Sequence, residues 1–253
     1  MKKTIVIIGV GPGLGLAIAK RFAGAGFRVI LSARNENSLK QLGAELEAAG
    51  TEVICKVADA EDRNGFAAAI EEIKKLYGTP DVVVYNVVMR SPDTVRMTAQ
   101  DLVRHFNADV AGAYAAVEGF ADSAFADKNG VIIFTGGGFA LYPAEKSCAL
   151  SVDKAALRSL AHILHEKYKP QGIFIGTVTI CGTVNGDKYF AADNIAESYW
   201  QMFSRRDRCE YVYQYPSLVP EKLYAGRIAE YDLFEQNADN YWNMVRKIAN
   251  ELS

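Results

Sequence analysis

The chain has 253 residues, half of them hydrophobic and 23% charged, with a formal net charge of -2. That length suits one large α/β domain, the balanced charge argues against a nucleic-acid partner, and no apolar run reaches bilayer-spanning length. Its start, Met1, Lys2, Lys3, runs straight into an apolar stretch without a signal-peptide pattern, and Cys55, Cys148, Cys181 and Cys209 are scattered; a cytoplasmic protein with reduced thiols, no membrane attachment and no metal is the expectation.

Residues 4–8 are an apolar, β-branched run without a polar break, as in a buried parallel strand. Gly9, Gly11, Gly13 and Gly15 follow, and from Leu14 apolar residues recur at helical spacing over 14–25. Strand, glycine turn and helix in that order aim backbone N–H groups and a helix N-terminus at one point, which suits a pyrophosphate. Gly9 would make the tight turn, Gly13 the close backbone approach, and Gly15 the packing of helix on strand, with Gly11 and Leu14 in the same binding turn. A purely structural turn is the alternative.

Further strands are expected at 27–32, 52–57, 81–85, 130–134 and 172–180, and helices at 36–49, 62–77, 98–125 and 149–168. Alternation of this kind predicts right-handed crossovers and a doubly wound parallel sheet, a three-layer α/β/α Rossmann-type fold in a single domain. The second strand ends without the acidic residue that would accept from a ribose 2′-hydroxyl. Arg34 stands there instead, flanked by Ser32 and Asn35, which favours NADP over NAD; a solvated loop arginine is the competing reading. Asp59, after the third strand, suits an adenine amino group or a helix cap. Asn86 follows the fourth strand on the same edge. His162 and His165 lie one turn apart with nothing to complete a metal site, and read as helix surface.

Over about residues 4–215 the chain resembles the short-chain dehydrogenase/reductase family. The resemblance rests on Gly9, Gly13 and Gly15, on Asp59 and Asn86, on Asn107 within residues 105–112, on the strand 130–138, and on Lys154 in the helix that follows. It implies nucleotide binding by these glycines, Ser32, Arg34, Asp59, Asn86 and Lys154. It also implies a relay asparagine at Asn107 and hydride transfer between NADP and the carbonyl/alcohol pair of a small molecule. In the family a tyrosine one turn before the lysine is the acid/base and a strand-end serine polarises the substrate. Here Leu150 stands at the tyrosine position, and Thr135 is the hydroxyl left at the strand end. Tyr142 and Lys146 form a literal Tyr-x-x-x-Lys, but Pro143 interrupts it and the helical pattern starts later, so Tyr142 reads as a loop residue with a displaced acid role open to it.

Gly182 and Thr183, after the sixth strand, fall where the family contacts the nicotinamide, with Cys181 in place of the usual proline. The aromatic stretch 187–205 reads either as a substrate lid or as an amphipathic helix packed on the core. Residues 210–215 read as an edge strand, and 216–253 as an extension ending in a helix around 238–252 with Tyr241 and Trp242. The resemblance further implies a homodimer or homotetramer through the helices at 98–125 and 149–168. The leading expectation is an NADP-dependent oxidoreductase. The alternatives are a catalytically impaired NADP(H)-binding sensor or scaffold, and a reductase of C=C or imine bonds.

Overall fold

A computed structural model describes residues 2–89 and 97–215; the readings of the 216–253 tail lie outside them. Seven strands form one parallel sheet: β1 (Thr4–Ile8), β2 (Arg28–Ala33), β3 (Val53–Val57), β4 (Val82–Tyr85), β5 (Val131–Gly137), β6 (Phe174–Ile180) and β7 (Glu210–Tyr213). Their order is β3-β2-β1-β4-β5-β6-β7. This is the doubly wound three-layer arrangement expected from the sequence, and its order reverses between β1 and β4, the place where such sheets open a ligand crevice.

Alternation along the central strands explains the layering. Ile5, Ile7, Val29, Leu31, Val82, Val84 and Ile133 face helices α1 (Leu14–Ala23), α2 (Glu36–Ala48) and α8 (Ala192–Arg205). Val6, Ile8, Ile30, Val83, Ile132 and Phe134 face α3 (Arg63–Tyr77), α5 (Gly112–Phe120) and α7 (Cys148–Tyr168). Strands with apolar side chains on both faces must be covered on both, so the helices divide between the two sides.

Three boundaries differ from expectation in ways that matter for the site. The helix expected over 98–125 is broken into α4 (Ala99–Phe106), a π-turn (Asn107–Ala111), α5 and the short α6 (Ser123–Asp127). A π-turn inserts a residue and re-phases the helix face beyond it. It persists here because the buried Tyr85 hydroxyl donates to the Ala108 carbonyl, and because Gly112 has no side chain to block the phenol. β5 runs three residues past its expected end, through Gly136 and Gly137. Finally, the aromatic stretch holds the amphipathic helix that is one of its two readings. α8 buries Ile195, Ala196, Tyr199, Met202 and Phe203 against α1, with Trp200 and Phe203 edge-on to Phe22 and Phe27. Its apolar residues recur at helical spacing and so fall on one buried face.

The glycine turn is pinned from three strands. Gly9 and Val10 donate to the Ser32 carbonyl at 2.8 and 3.1 Å, and Asn86 donates its backbone N–H to Ile8 at 2.8 Å. Gly9 has φ +80°, and a Cβ there would lie 2.7 Å from the Val87 nitrogen. Changing Gly9 to Ala should therefore destabilise the fold by about 2 kcal/mol or more, from the left-handed conformation plus a backbone clash. In a thermal melt that is a fall of roughly 4–8 °C for a domain of this size; an unchanged melting temperature would contradict the pinning.

Candidate active site

Gly13 caps α1, and the first donations back along this helix are Leu16 to Gly11 and Ala17 to Gly13. The amides of Gly13, Leu14 and Gly15 have no backbone acceptor among the described residues. Nothing stands within 4 Å of a Cβ built at Gly11, whereas one at Gly15 would lie 3.0 Å from Val10 Cα and 3.3 Å from Asn86 Nδ2. Gly15 is thus the packing glycine, and the turn ahead of it is open, with unpaired donors and a helix dipole directed at the same space. A diphosphate fits such a turn.

Asn86 anchors this turn. Its Nδ2 donates to the Gly9 carbonyl at 2.9 Å, and its Oδ1 accepts from the Thr135 hydroxyl at 2.9 Å. That hydroxyl in turn accepts from the fully buried Tyr199 at 2.9 Å. The Thr135 hydroxyl is therefore occupied beneath the nucleotide turn.

Toward the adenosine end, Arg34 is 67% exposed and pairs loosely with Glu61 at 3.6 Å, while Glu61 also meets Arg104 at 3.3 Å. Asp59 accepts from the Glu61 amide at 3.0 Å and so shapes the turn before α3, whose own cap is Asp62. Ser32 is buried and acts through its carbonyl; Asn35 caps α2. At the other end, Gly182 lies under the Phe190 ring, which leaves no room for a side chain, and the Thr183 carbonyl accepts from Gly186 at 2.8 Å. Asn185, with φ +60°, caps the α8 end by accepting from Ala192 at 2.9 Å.

Lys154 is 5% exposed on α7, and its ammonium donates to the Thr135 carbonyl at 2.9 Å. Leu150 occupies the preceding turn of the same helix. A side chain at Gly137 would touch the Lys154 stem at 3.4 Å, so the strand-end position beside the lysine is 137, and it is bare. Tyr142 lies on a turn between two short 3₁₀ segments and donates its backbone N–H to Gly138; Lys146 is exposed. These two residues are not a helical i, i+4 pair.

Asn107 is not brought into the site. It is exposed, and its carbonyl accepts from Arg63 at 2.6 Å. The π-turn places Asp109 inward instead: it is fully buried, and its Oδ1 accepts from the Met89 amide at 2.7 Å. Asp153, next to Lys154, is also fully buried, with the neutral-leaning His105 Nδ1 3.7 Å from its Oδ2. Burial pushes Asp109 up to about 6, against the opposing Lys154 charge and the Met89 amide. Burial, reinforced by the Asp109 charge, pushes Asp153 up to about 7. Burial lowers Lys154, with both carboxylates opposing. Sequence reasoning missed both aspartates, although a signal was present. Asp109 falls in line with Ala113, Ala116, Val117 and Phe120, and Asp153 with Leu157, Ala161 and Leu164, all buried. A carboxylate on an apolar stripe marks a buried charge.

With this geometry in hand, the comparisons decide the family. The short chain dehydrogenase family model matches residues 3–189. The chain belongs to that family. A tropinone reductase homolog of Arabidopsis thaliana is 28% identical over 173 residues, 68% of this chain and 65% of its own length. An alcohol dehydrogenase from Thermococcus sibiricus, solved with 5-hydroxy-NADP, superposes with a TM-score of 0.75 at 19% identity, covering 85% of this chain and 99% of its own. A short-chain dehydrogenase/reductase from Burkholderia phymatum, solved with NAD, gives 0.77 at 18% identity over 95% of each chain. Similar structures thus hold either dinucleotide, with an NADP(H)-type cofactor in several. Among the described residues no helix is long and apolar enough to cross a membrane, and no group of His, Cys, Asp or Glu is placed to hold a metal.

The buried carboxylates predict a pH dependence. Both fold with values above the ordinary 3.8, so the folded state holds protons that the unfolded chain has already lost. Their contribution is complete below about pH 4 and declines as pH rises through 6 and 7. Stability to urea should fall from pH 5 to pH 8, and Asp153→Asn should flatten that slope. A slope unchanged in the variant would contradict the assignment.

Proposed function

We propose that this chain is an NADP-dependent oxidoreductase acting on the carbonyl/alcohol pair of a small molecule. The observation that carries this reading is the set of unpaired amides at the start of α1, at the crevice where the sheet order reverses, with Lys154 on the same edge. Gly9, Gly11, Gly13, Leu14 and Gly15 would hold the diphosphate and Asp59 the adenine. Asn86 would fix the turn, Lys154 the nicotinamide ribose hydroxyls, and Gly182 and Thr183 the nicotinamide side. Arg34 meets a 2′-phosphate at the cost of only a 3.6 Å contact to Glu61. When bound, the dinucleotide supplies the hydride. The protein's share is to orient the substrate and supply a proton, and Lys154 is the donor, since Leu150 has no proton to give.

The experiment is calorimetric titration with NADPH and NADH. A guanidinium–phosphate contact contributes about 1.5–3 kcal/mol, so Arg34→Ala should weaken NADPH roughly 10- to 100-fold and leave NADH within about twofold. Equal loss for both nucleotides, or none, would count against the 2′-phosphate assignment. Lys154→Ala should abolish substrate-dependent NADPH consumption.

The bare Gly137 and the apolar Leu150 favour one other reading, a nucleotide-binding sensor or scaffold without turnover. It would bind NADPH, consume none on a carbonyl panel, and change its assembly with cofactor.

A homodimer through α4, α5 and α7 fits the apolar side chains these helices expose: Val103, Phe106, Tyr114, Val152 and Ile163. Val152 and Ile163 lie eleven residues apart, about three turns, and so share a face. Val152→Asp with Ile163→Asp should convert the dimer to monomer in sedimentation; an unchanged mass would exclude this face. The four free, unpaired cysteines suit a reducing cytoplasmic setting.

A further inference from the structure

At the adenosine end of the crevice one carboxylate lies between two arginines. Ala33 and Val57 pair at the ends of β2 and β3, and Ala58 donates its backbone N–H to the Ala33 carbonyl at 3.1 Å. Arg34 and the turn before α3 therefore stand side by side. Asp59 shapes that turn by accepting from the Glu61 amide at 3.0 Å. From the other side α4 brings Arg104, and Arg63, donating to the Asn107 carbonyl at 2.6 Å, ties the start of α3 to the end of α4. Glu61 divides its two oxygens between these neighbours. Oε2 accepts a hydrogen bond from Arg104 Nη2 at 3.3 Å, whereas Oε1 is 3.6 Å from Arg34 Nη1, too far for one. Glu61 is also the least exposed of the three side chains, at 25% against 67% for Arg34 and 57% for Arg104. The adjoining charges are engaged elsewhere: Asp62 caps α3 on the Gly65 amide, and Arg63 is on Asn107.

This arrangement bears on nucleotide choice. A carboxylate beside the arginine that meets a 2′-phosphate is a like charge to that phosphate and opposes it. Arg104 supplies Glu61 with a hydrogen-bonded counter-charge that stays in place when Arg34 turns away. Without Arg104, Arg34 would be the carboxylate's one remaining ion-pair partner among the described residues. Glu61 would then both retain the arginine and repel the phosphate, while a ribose 2′-hydroxyl, which can donate to a carboxylate, would not be repelled.

We propose that Glu61 and Arg104 set the nucleotide specificity of this pocket: Arg104 holds and neutralises Glu61, which leaves Arg34 available to a 2′-phosphate. The inference rests on the NADP reading of Arg34 and extends it to a residue on α4. Arg104 is a positioning residue in this assignment, acting only through Glu61.

The test is calorimetric titration of the full chain with NADPH and NADH, and with the adenosine fragments 2′,5′-ADP and 5′-AMP, none of which requires turnover. Arg104→Gln should weaken NADPH and 2′,5′-ADP about three- to fivefold, the upper range for one exposed charge pair. NADH and 5′-AMP should stay within about twofold, which also shows that the variant folds. Arg104→Lys should restore the wild-type affinities, and Glu61→Gln should tighten NADPH. In the Glu61→Gln background Arg104→Gln should change nothing, because the carboxylate through which Arg104 acts is gone. An undiminished loss of NADPH in that background would make Arg104 a direct phosphate ligand, and a loss shared by NADH would make its role structural; either overturns the proposal. Arg34→Ala separates the proposal from the reading beneath it. If Arg34→Ala weakens NADPH selectively while the Glu61 and Arg104 variants do not alter it, the 2′-phosphate assignment stands and the pair has no part in it. If Arg34→Ala weakens NADPH no more than NADH, the assignment falls, and the role of the pair with it.

Discussion

The site depends on one backbone constraint: three strand ends must meet at Gly9. The amides of Gly9 and Val10 converge on the Ser32 carbonyl of β2, while Asn86 at the end of β4 binds both Ile8 and Gly9. With φ +80° and neighbouring backbone at van der Waals limits, no side chain fits there. The chain is thereby turned sharply enough for α1 to start with its N-terminus over the crevice. The unpaired amides, the approach of Gly15 to Val10 and the placement of Asn86 are consequences of that turn.

A second constraint is electrostatic and sits on the other side of the crevice. Lys154 is held on a carbonyl at the end of β5, deep enough that its charge must be balanced locally. The π-turn buries Asp109 and α7 buries Asp153, next to the lysine in sequence. Gly137 and Leu150 leave the lysine without a hydroxyl at either of those positions. The nucleotide half and the proton half of the molecule are thus built from different materials, backbone amides in one and buried side-chain charge in the other.

The first half was legible in the sequence and the second was not, for a physical reason. Strand–turn–helix order, the glycine spacing and the alternation of elements are local patterns, and local patterns dictated the sheet, the turn and the layer of each helix. Leu150 and the bare strand end were also readable by position. Asn107 is exposed at the first position of a π-turn, and that insertion is held by a tertiary contact from Tyr85 through the gap at Gly112. No local spacing reports such a contact. The aromatic segment before residue 205 had two readings of equal local merit, and the packing of Tyr199, Met202 and Phe203 on α1 separated them.

The hydroxyl chain from Tyr199 through Thr135 and Asn86 to Gly9 runs in one direction only. The Gly9 carbonyl can only accept, so Asn86 must present its amide nitrogen there and its oxygen to Thr135; Thr135 must then donate, and is left to accept from Tyr199. Every rotor in the chain has a single allowed setting, imposed from the nucleotide turn outward to helix α8. Helix α8 is therefore keyed to the glycine turn by polarity as well as by its packing on α1. Drift at residue 199 would be felt first as a loosened amide orientation at residue 86, before any loss of packing.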